Sequence, residues 1–241
     1  MFAFPAVTTF ISLVFAGQVL AQYRERRRSH QLAWGLALLF YAIAAFPEVL
    51  GSLSGWTDLD FRLYYLFGAI LLVPWLSMGT TELLLRGDRA GAARAGYRVF
   101  VAAISLLGLV AVVVAPLHGH WLQTGQVPSN CAMWCKSESG YVLPNGLDAL
   151  SAAVGNSIGT VVLVAGAGYS AYRTYRAGLP RNLTLGNILI LAGSLVVASA
   201  ATLTRLGSYE LFYAGQAAGI AIIFGGFLLI ATTSQPRTSL A

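Results

Sequence analysis

Seven stretches of about 20 mainly apolar residues dominate this chain, each long enough to cross the hydrocarbon core of a bilayer. They fall at 4–22, 32–50, 61–85, 99–117, 150–169, 183–203 and 209–231. Inside lipid, backbone N–H and C=O groups have no water to bond, so each stretch is expected to be an α-helix. The rest of the composition agrees. Hydrophobic residues make up 57% of the chain and charged ones 10%, where soluble domains carry about a quarter of their residues as charges. The fold class expected is all-α, a polytopic bundle of seven transmembrane helices with little outside the membrane. Only Met1-Phe2-Ala3 precede the first stretch, without the basic leader of a cleaved signal peptide, so that helix is expected to be retained.

Cations set the expected orientation. Arg24, Arg26, Arg27 and Arg28 lie in the first connection, Arg86, Arg89, Arg94 and Arg98 around the third, and Arg173, Arg176 and Arg181 around the fifth. With Arg237 in the tail, 12 of the 15 Lys and Arg residues fall on one face, leaving Arg62, Lys136 and Arg205 for the other. This predicts an outside N-terminus and a cytoplasmic C-terminus in a cell membrane, with the bacterial cytoplasmic membrane the expected setting. The same distribution argues against nucleic-acid binding, because the cations are divided among short loops with no soluble domain behind them.

The chain also repeats itself at an offset of about 150 residues. Ala16-Gly17 followed by Tyr23-Arg24 returns as Ala165-Gly166 followed by Tyr172-Arg173. His30-Gln31-Leu32-Ala33-Trp34-Gly35 is echoed by Arg181-Asn182-Leu183-Thr184-Leu185-Gly186, and Leu50-Gly51-Ser52 by Leu206-Gly207-Ser208. Arg62-Leu63-Tyr64-Tyr65 then corresponds to Glu210-Leu211-Phe212-Tyr213. The expected organisation is one domain: repeat A over 4–85, a connector helix over 99–117, an outer loop over 118–149 and repeat B over 150–231. An odd connector gives both triplets the same orientation, a three-one-three parallel repeat about an axis along the membrane normal. Small-molecule sites of such proteins lie between the halves.

Ionisable residues at membrane depth are functional candidates. Glu48, Arg62, Arg205 and Glu210 are therefore expected to gather as charges around the axis at the outer mouth. Pro74-Trp75 falls near the middle of the third helix, where proline removes a helix hydrogen bond and frees a carbonyl near Ile70. Pro47 can open the end of the second helix in the same way. Tyr41, Tyr65, Asn156, Tyr213 and Gln216 are the further polar groups available to a central pocket, against the simpler reading of interhelical hydrogen bonds. Glu82 stands one turn before Arg86, which predicts an intrahelical pair. Asn182-Leu183-Thr184 matches the glycosylation pattern but faces the cytoplasm in this topology.

Cys131 and Cys135 in the outer loop predict a short disulfide, since that compartment is oxidising. With His118 and His120 they also make a lesser zinc or copper alternative. Retinal is not expected, because the only lysine, Lys136, lies in the loop and not in the seventh helix. No catalytic motif is present, and no cofactor is expected.

The stretch from Arg26 to Arg86, with its basic first loop, Leu36-Ala37-Leu38-Leu39-Phe40-Tyr41-Ala42, Tyr64-Tyr65 and Val73-Pro74-Trp75-Leu76, resembles the seven-helix sensor modules that precede bacterial histidine kinases and cyclases. That resemblance implies a receptor-like bundle binding a small ligand between helices; with the chain stopping at Ala241, output would pass through a membrane or cytoplasmic signalling partner. The three-one-three order is also similar to small sugar facilitators and related vitamin carriers, although Gly17-Gln18 and Ala167-Gly168 stand where their Pro-Gln signature would be. A small-solute transporter is thus the alternative, and an accessory subunit of a larger membrane complex the third.

Overall fold

The computed structural model describes residues 2–85, 87, 90–114, 147–203 and 209–233. Among them the chain is helical with no strand, and seven helices are long and apolar enough to cross a membrane. We number these α1 (Ala3–Arg26), α2 (Ser29–Ser54), α3 (Asp58–Leu84), α4 (Gly91–Val114), α5 (Leu147–Arg176), α6 (Arg181–Leu203) and α7 (Tyr209–Thr233). The Arg205 position, the Arg86 position, Lys136, His118, His120, Cys131, Cys135 and Arg237 lie outside the described residues.

Several helices outrun their apolar stretches, α4 and α5 the furthest. α4 starts at Gly91 rather than near 99, and α5 covers Leu147–Arg176 rather than 150–169. The added turns carry Arg94 and Arg98 in one case and Tyr172, Arg173 and Arg176 in the other, side chains whose charged heads reach beyond the hydrocarbon while the backbone stays helical.

The connections are short and locally determined. Between α1 and α2 only Arg27 and Arg28 intervene; Arg27 takes a left-handed conformation (φ 51°) and its N–H bonds Tyr23 O at 2.8 Å, closing the helix end. α3 opens on a reciprocal cap: Thr57 Oγ1 accepts the Asp60 N–H at 3.2 Å and Asp60 Oδ2 accepts the Thr57 N–H at 3.1 Å. α5 ends at Gly178 (φ 60°), where the Leu179 N–H reaches Thr174 O at 3.1 Å before Pro180 redirects the chain.

α3 is not uniform. From Tyr64 to Leu71 it widens into a π-helix, and ordinary α geometry resumes over Leu72–Leu84. Pro74 lies just beyond and supplies no N–H of its own, so the carbonyls of the preceding turn must find other donors. Asn156 of α5 supplies one, its Nδ2 donating to Ala69 O at 2.8 Å.

Six helices close a ring in the order α1, α2, α3, α5, α6, α7, with α7 returning to α1; α4 stands outside it, against α3 and α5. Phe15 of α1 packs between Phe224 and Phe227 of α7, with ring centroids 5.0 and 4.9 Å away. Around them Val19, Ala37, Leu38, Tyr41, Leu72 and Ile220 form the central apolar layer. A second layer, of Trp56, Phe61, Tyr65, Phe212 and Tyr213, fills the end away from the arginines.

Between α6 and α7 glycine replaces side chains as the packing element. A Cβ on Gly193 would stand 2.7 Å from Gly219 O, and one on Gly186 2.7 Å from Gly226 O. The two antiparallel backbones therefore approach as only paired glycines allow. In α2, Gly35 instead receives the Leu20 side chain of α1.

Candidate functional site: a buried carboxylate between α1, α2, α3 and α7

Glu48 sits six residues before the end of α2, directly after Pro47, and is 2% exposed. The proline leaves the carbonyl one turn earlier without its helix donor and fixes the local bend. Ser52 Oγ donates to Glu48 O at 2.7 Å, securing the following turn. The side chain points into the bundle, where Gln216 Nε2 of α7 donates to Glu48 Oε1 at 3.2 Å. Among the described residues, Glu48 Oε2 has no hydrogen-bond partner.

Three tyrosines stand around this carboxylate, and a fourth adjoins one of them. Tyr41, on the same helix two turns away, and Tyr64 and Tyr213 all lie within electrostatic reach of it, and Tyr65 adjoins Tyr64. Three of them are braced by apolar rings behind: Tyr64 by Trp56 at 5.5 Å, Tyr65 by Phe61 at 6.1 Å and Tyr213 by Phe212 at 5.5 Å. Trp56 is itself fixed, since its indole fills the space beside Gly51 where a Cβ would meet it at 2.5 Å.

α1 adds the fourth wall. The Leu20–Gly35 contact sets the register of α1 against α2, and counting outward from it along the antiparallel pair brings Thr8 level with Pro47 and Ser12 level with Ile43. Counting back from the Phe15–Phe224 ring contact along the parallel α1 and α7 brings Gln216 level with Val7. Thr8 and Ser12 are both on the buried face of α1, and Thr8 Oγ1, Ser12 Oγ and Tyr41 OH lack hydrogen-bond partners among the described residues. Between the levels of Tyr41 and Glu48, about two helical turns, the described residues thus hold four buried oxygens with unused bonding capacity. Buried polar atoms of native proteins are nearly always satisfied, so such a group asks for a reason.

The residues expected from sequence divide cleanly. Glu48, Tyr213 and Gln216 meet here, and Tyr65 adjoins Tyr64 beside them. Arg62 does not turn to Glu48: its Nε bonds Asp58 at 3.1 Å, and its guanidinium caps the end of α4 through Val112 O and, at 3.0 Å, Val113 O. Glu210 is exposed at the start of α7. Trp75 donates from Nε1 to Ser105 Oγ of α4 at 3.1 Å, and Asn156 is the donor that closes the π segment. Arg205 lies outside the described residues, as do Cys131, Cys135, His118 and His120.

Glu82 has partners that the one-turn spacing to Arg86, itself outside the described residues, did not predict. Its carboxylate is held from α4, with Arg98 Nε on Oε1 at 2.6 Å and Arg98 Nη2 on Oε2 at 2.9 Å. Ser29 of α2 donates to the same Oε2 at 2.8 Å. A one-turn spacing to Arg86 had no way to register that α4 begins early enough to bring Arg98 alongside.

Sequence reasoning passed over Thr8, Ser12 and Tyr64. The signal was available in part: Thr8 and Ser12 are one turn apart and continue into Phe15, Ala16 and Val19, so a polar pair heads the most buried stripe of α1. Comparison of the chain with models of known families, with curated proteins and with solved structures finds no match.

Proposed function

We propose that this chain is a receptor-like seven-helix protein of the bacterial cytoplasmic membrane, which binds a small ligand between α1, α2, α3 and α7 and signals through a partner. The observation that carries this reading is Glu48. A carboxylate at membrane depth is costly, and proteins that need one only for structure pair it fully. Here one oxygen is left open among the described residues, and other open oxygens lie nearby.

Positive-inside bias would put the arginine-bearing end in the cytoplasm and the Glu48 layer toward the outside, within reach of an external ligand. At the arginine end, Arg24, Arg26, Arg27, Arg28, Arg173, Arg176 and Arg181 are exposed, a surface suited to an acidic partner or anionic headgroups. Duplication is supported by matched geometry: Arg27 lies over the Tyr23 ring at 5.7 Å and Arg176 over the Tyr172 ring at 5.9 Å. Contacts of α3 with α5 and of α7 with α1 are also those a pseudo-two-fold would exchange. The differing surroundings of Gly35 and Gly186 mark where the copies have diverged.

A small-solute facilitator is the second reading, favoured by the irregular stretch of α3 over Tyr64–Leu71 and the proline within α2, since irregular helices commonly border transport sites. Native mass spectrometry of protein released from nanodiscs tests the shared core of both readings. A small-molecule adduct present in the wild type and lost in Glu48→Ala is the expected result; adducts that ignore Glu48 overturn it. Solute uptake into proteoliposomes by the purified chain alone would decide for the facilitator.

A further inference from the structure

We propose that the Glu48 layer is a site for a small organic cation carrying N–H donors, a protonated primary amine. The inference rests on the reading of Glu48 as a ligand site and assigns that site its chemistry.

The charge comes first. Glu48 contributes the negative group, and the only side-chain bond it makes among the described residues is to the neutral amide of Gln216. Among the described residues, every other group placed around it is a hydroxyl or a phenol, and none is a cation. A bound cation supplies the partner a buried carboxylate requires.

Donor count decides among cations. The open atoms are Glu48 Oε2, Thr8 Oγ1, Ser12 Oγ and Tyr41 OH, each able to accept a hydrogen bond. A primary ammonium brings three N–H donors. A quaternary ammonium brings none and would leave those oxygens as they are. A bare metal ion has the charge but wants oxygens on most sides. The other groups within electrostatic reach of Glu48 are the phenols of Tyr41, Tyr64 and Tyr213, aromatic side chains of a kind that attracts organic cations. Ile220 and Phe15, next inward, form an apolar floor for an alkyl or aryl tail.

Thermal unfolding of the protein in nanodiscs, followed by intrinsic fluorescence, tests this with four probes at matched ionic strength: n-butylammonium, tetramethylammonium, n-butanol and sodium. n-Butylammonium is expected to raise the wild-type midpoint saturably, with the other three flat. Glu48→Gln, which keeps the shape and the Gln216 bond, should weaken the apparent affinity for n-butylammonium by more than about tenfold. Ser12→Ala, a mild change on another helix, should weaken it by about threefold, the loss of one neutral hydrogen bond. An equal response to tetramethylammonium or n-butanol, or an unchanged n-butylammonium affinity in a folded Glu48→Gln protein, overturns the amine assignment. A saturable sodium response that needs Glu48 also overturns it, while leaving Glu48 a ligand site. If no probe separates wild type from Glu48→Gln and native mass spectrometry finds no Glu48-dependent adduct, the site itself falls.

Discussion

Two glutamates are buried in this bundle, and their surroundings could hardly differ more. At the arginine-bearing end, the Glu82 side chain is 3% exposed and engages Arg98 through both oxygens, with Ser29 as a third donor. Three helices, α2, α3 and α4, are tied by that one carboxylate. At the other end, the Glu48 carboxylate receives one amide from Gln216 and has an open oxygen. The first arrangement is complete without anything added. The second leaves one oxygen unpartnered among the described residues, and the contrast separates a clamp from a candidate site more firmly than burial alone would.

Stability measurements in mixed micelles test that contrast. Arg98→Ala should be the most damaging change, costing about 2–3 kcal/mol. It strands a buried carboxylate, but the arginine is 54% exposed, so water replaces part of what is lost. Equilibrium unfolding in rising sodium dodecyl sulphate reads this directly. Asn156→Ala should cost about 1 kcal/mol by leaving Ala69 O without its donor, and hydrogen exchange should rise locally around the π segment. Ser29→Ala removes one of three donors to Glu82 and should cost about 0.5–1 kcal/mol, with little left to lose once Arg98 is already gone; a double-mutant cycle measures that coupling. Glu48→Gln should change stability by less than about 0.5 kcal/mol, or raise it, because a neutral amide replaces an unpaired carboxyl. If Glu48→Gln instead costs as much as Arg98→Ala, Glu48 is a second clamp and the contrast collapses.

Much of the architecture was legible because lipid leaves a chain so few choices. Apolar length alone located seven helices, and Glu48 stood out as a charge where charges are expensive. What the sequence withheld depends on which helices become neighbours. Arg62 reads as a membrane-depth cation, yet its task is to cap the carbonyl end of α4, a contact some fifty residues away along the chain. Trp75 and Asn156 read as pocket residues and turn out to bond Ser105 and Ala69. Hydropathy also ends a helix where charge begins, so the early start of α4, and with it the Arg98 clamp, was invisible. Pro74 pointed to an irregularity in α3, but not to a π segment reaching back to Tyr64.

That segment sets the phase of α3. A π turn accommodates one residue more than an α-helix would over the same rise. Were the stretch from Tyr64 to Leu71 to relax to α geometry with its residue count unchanged, everything before it would turn by about 100° relative to Leu72–Leu84. Tyr64 would swing away from Glu48 while Glu82 stayed with Arg98. Deleting one residue along with that relaxation would restore the phase, so the extra residue and the wide turn that absorbs it together index the Glu48 end of α3 against the clamp.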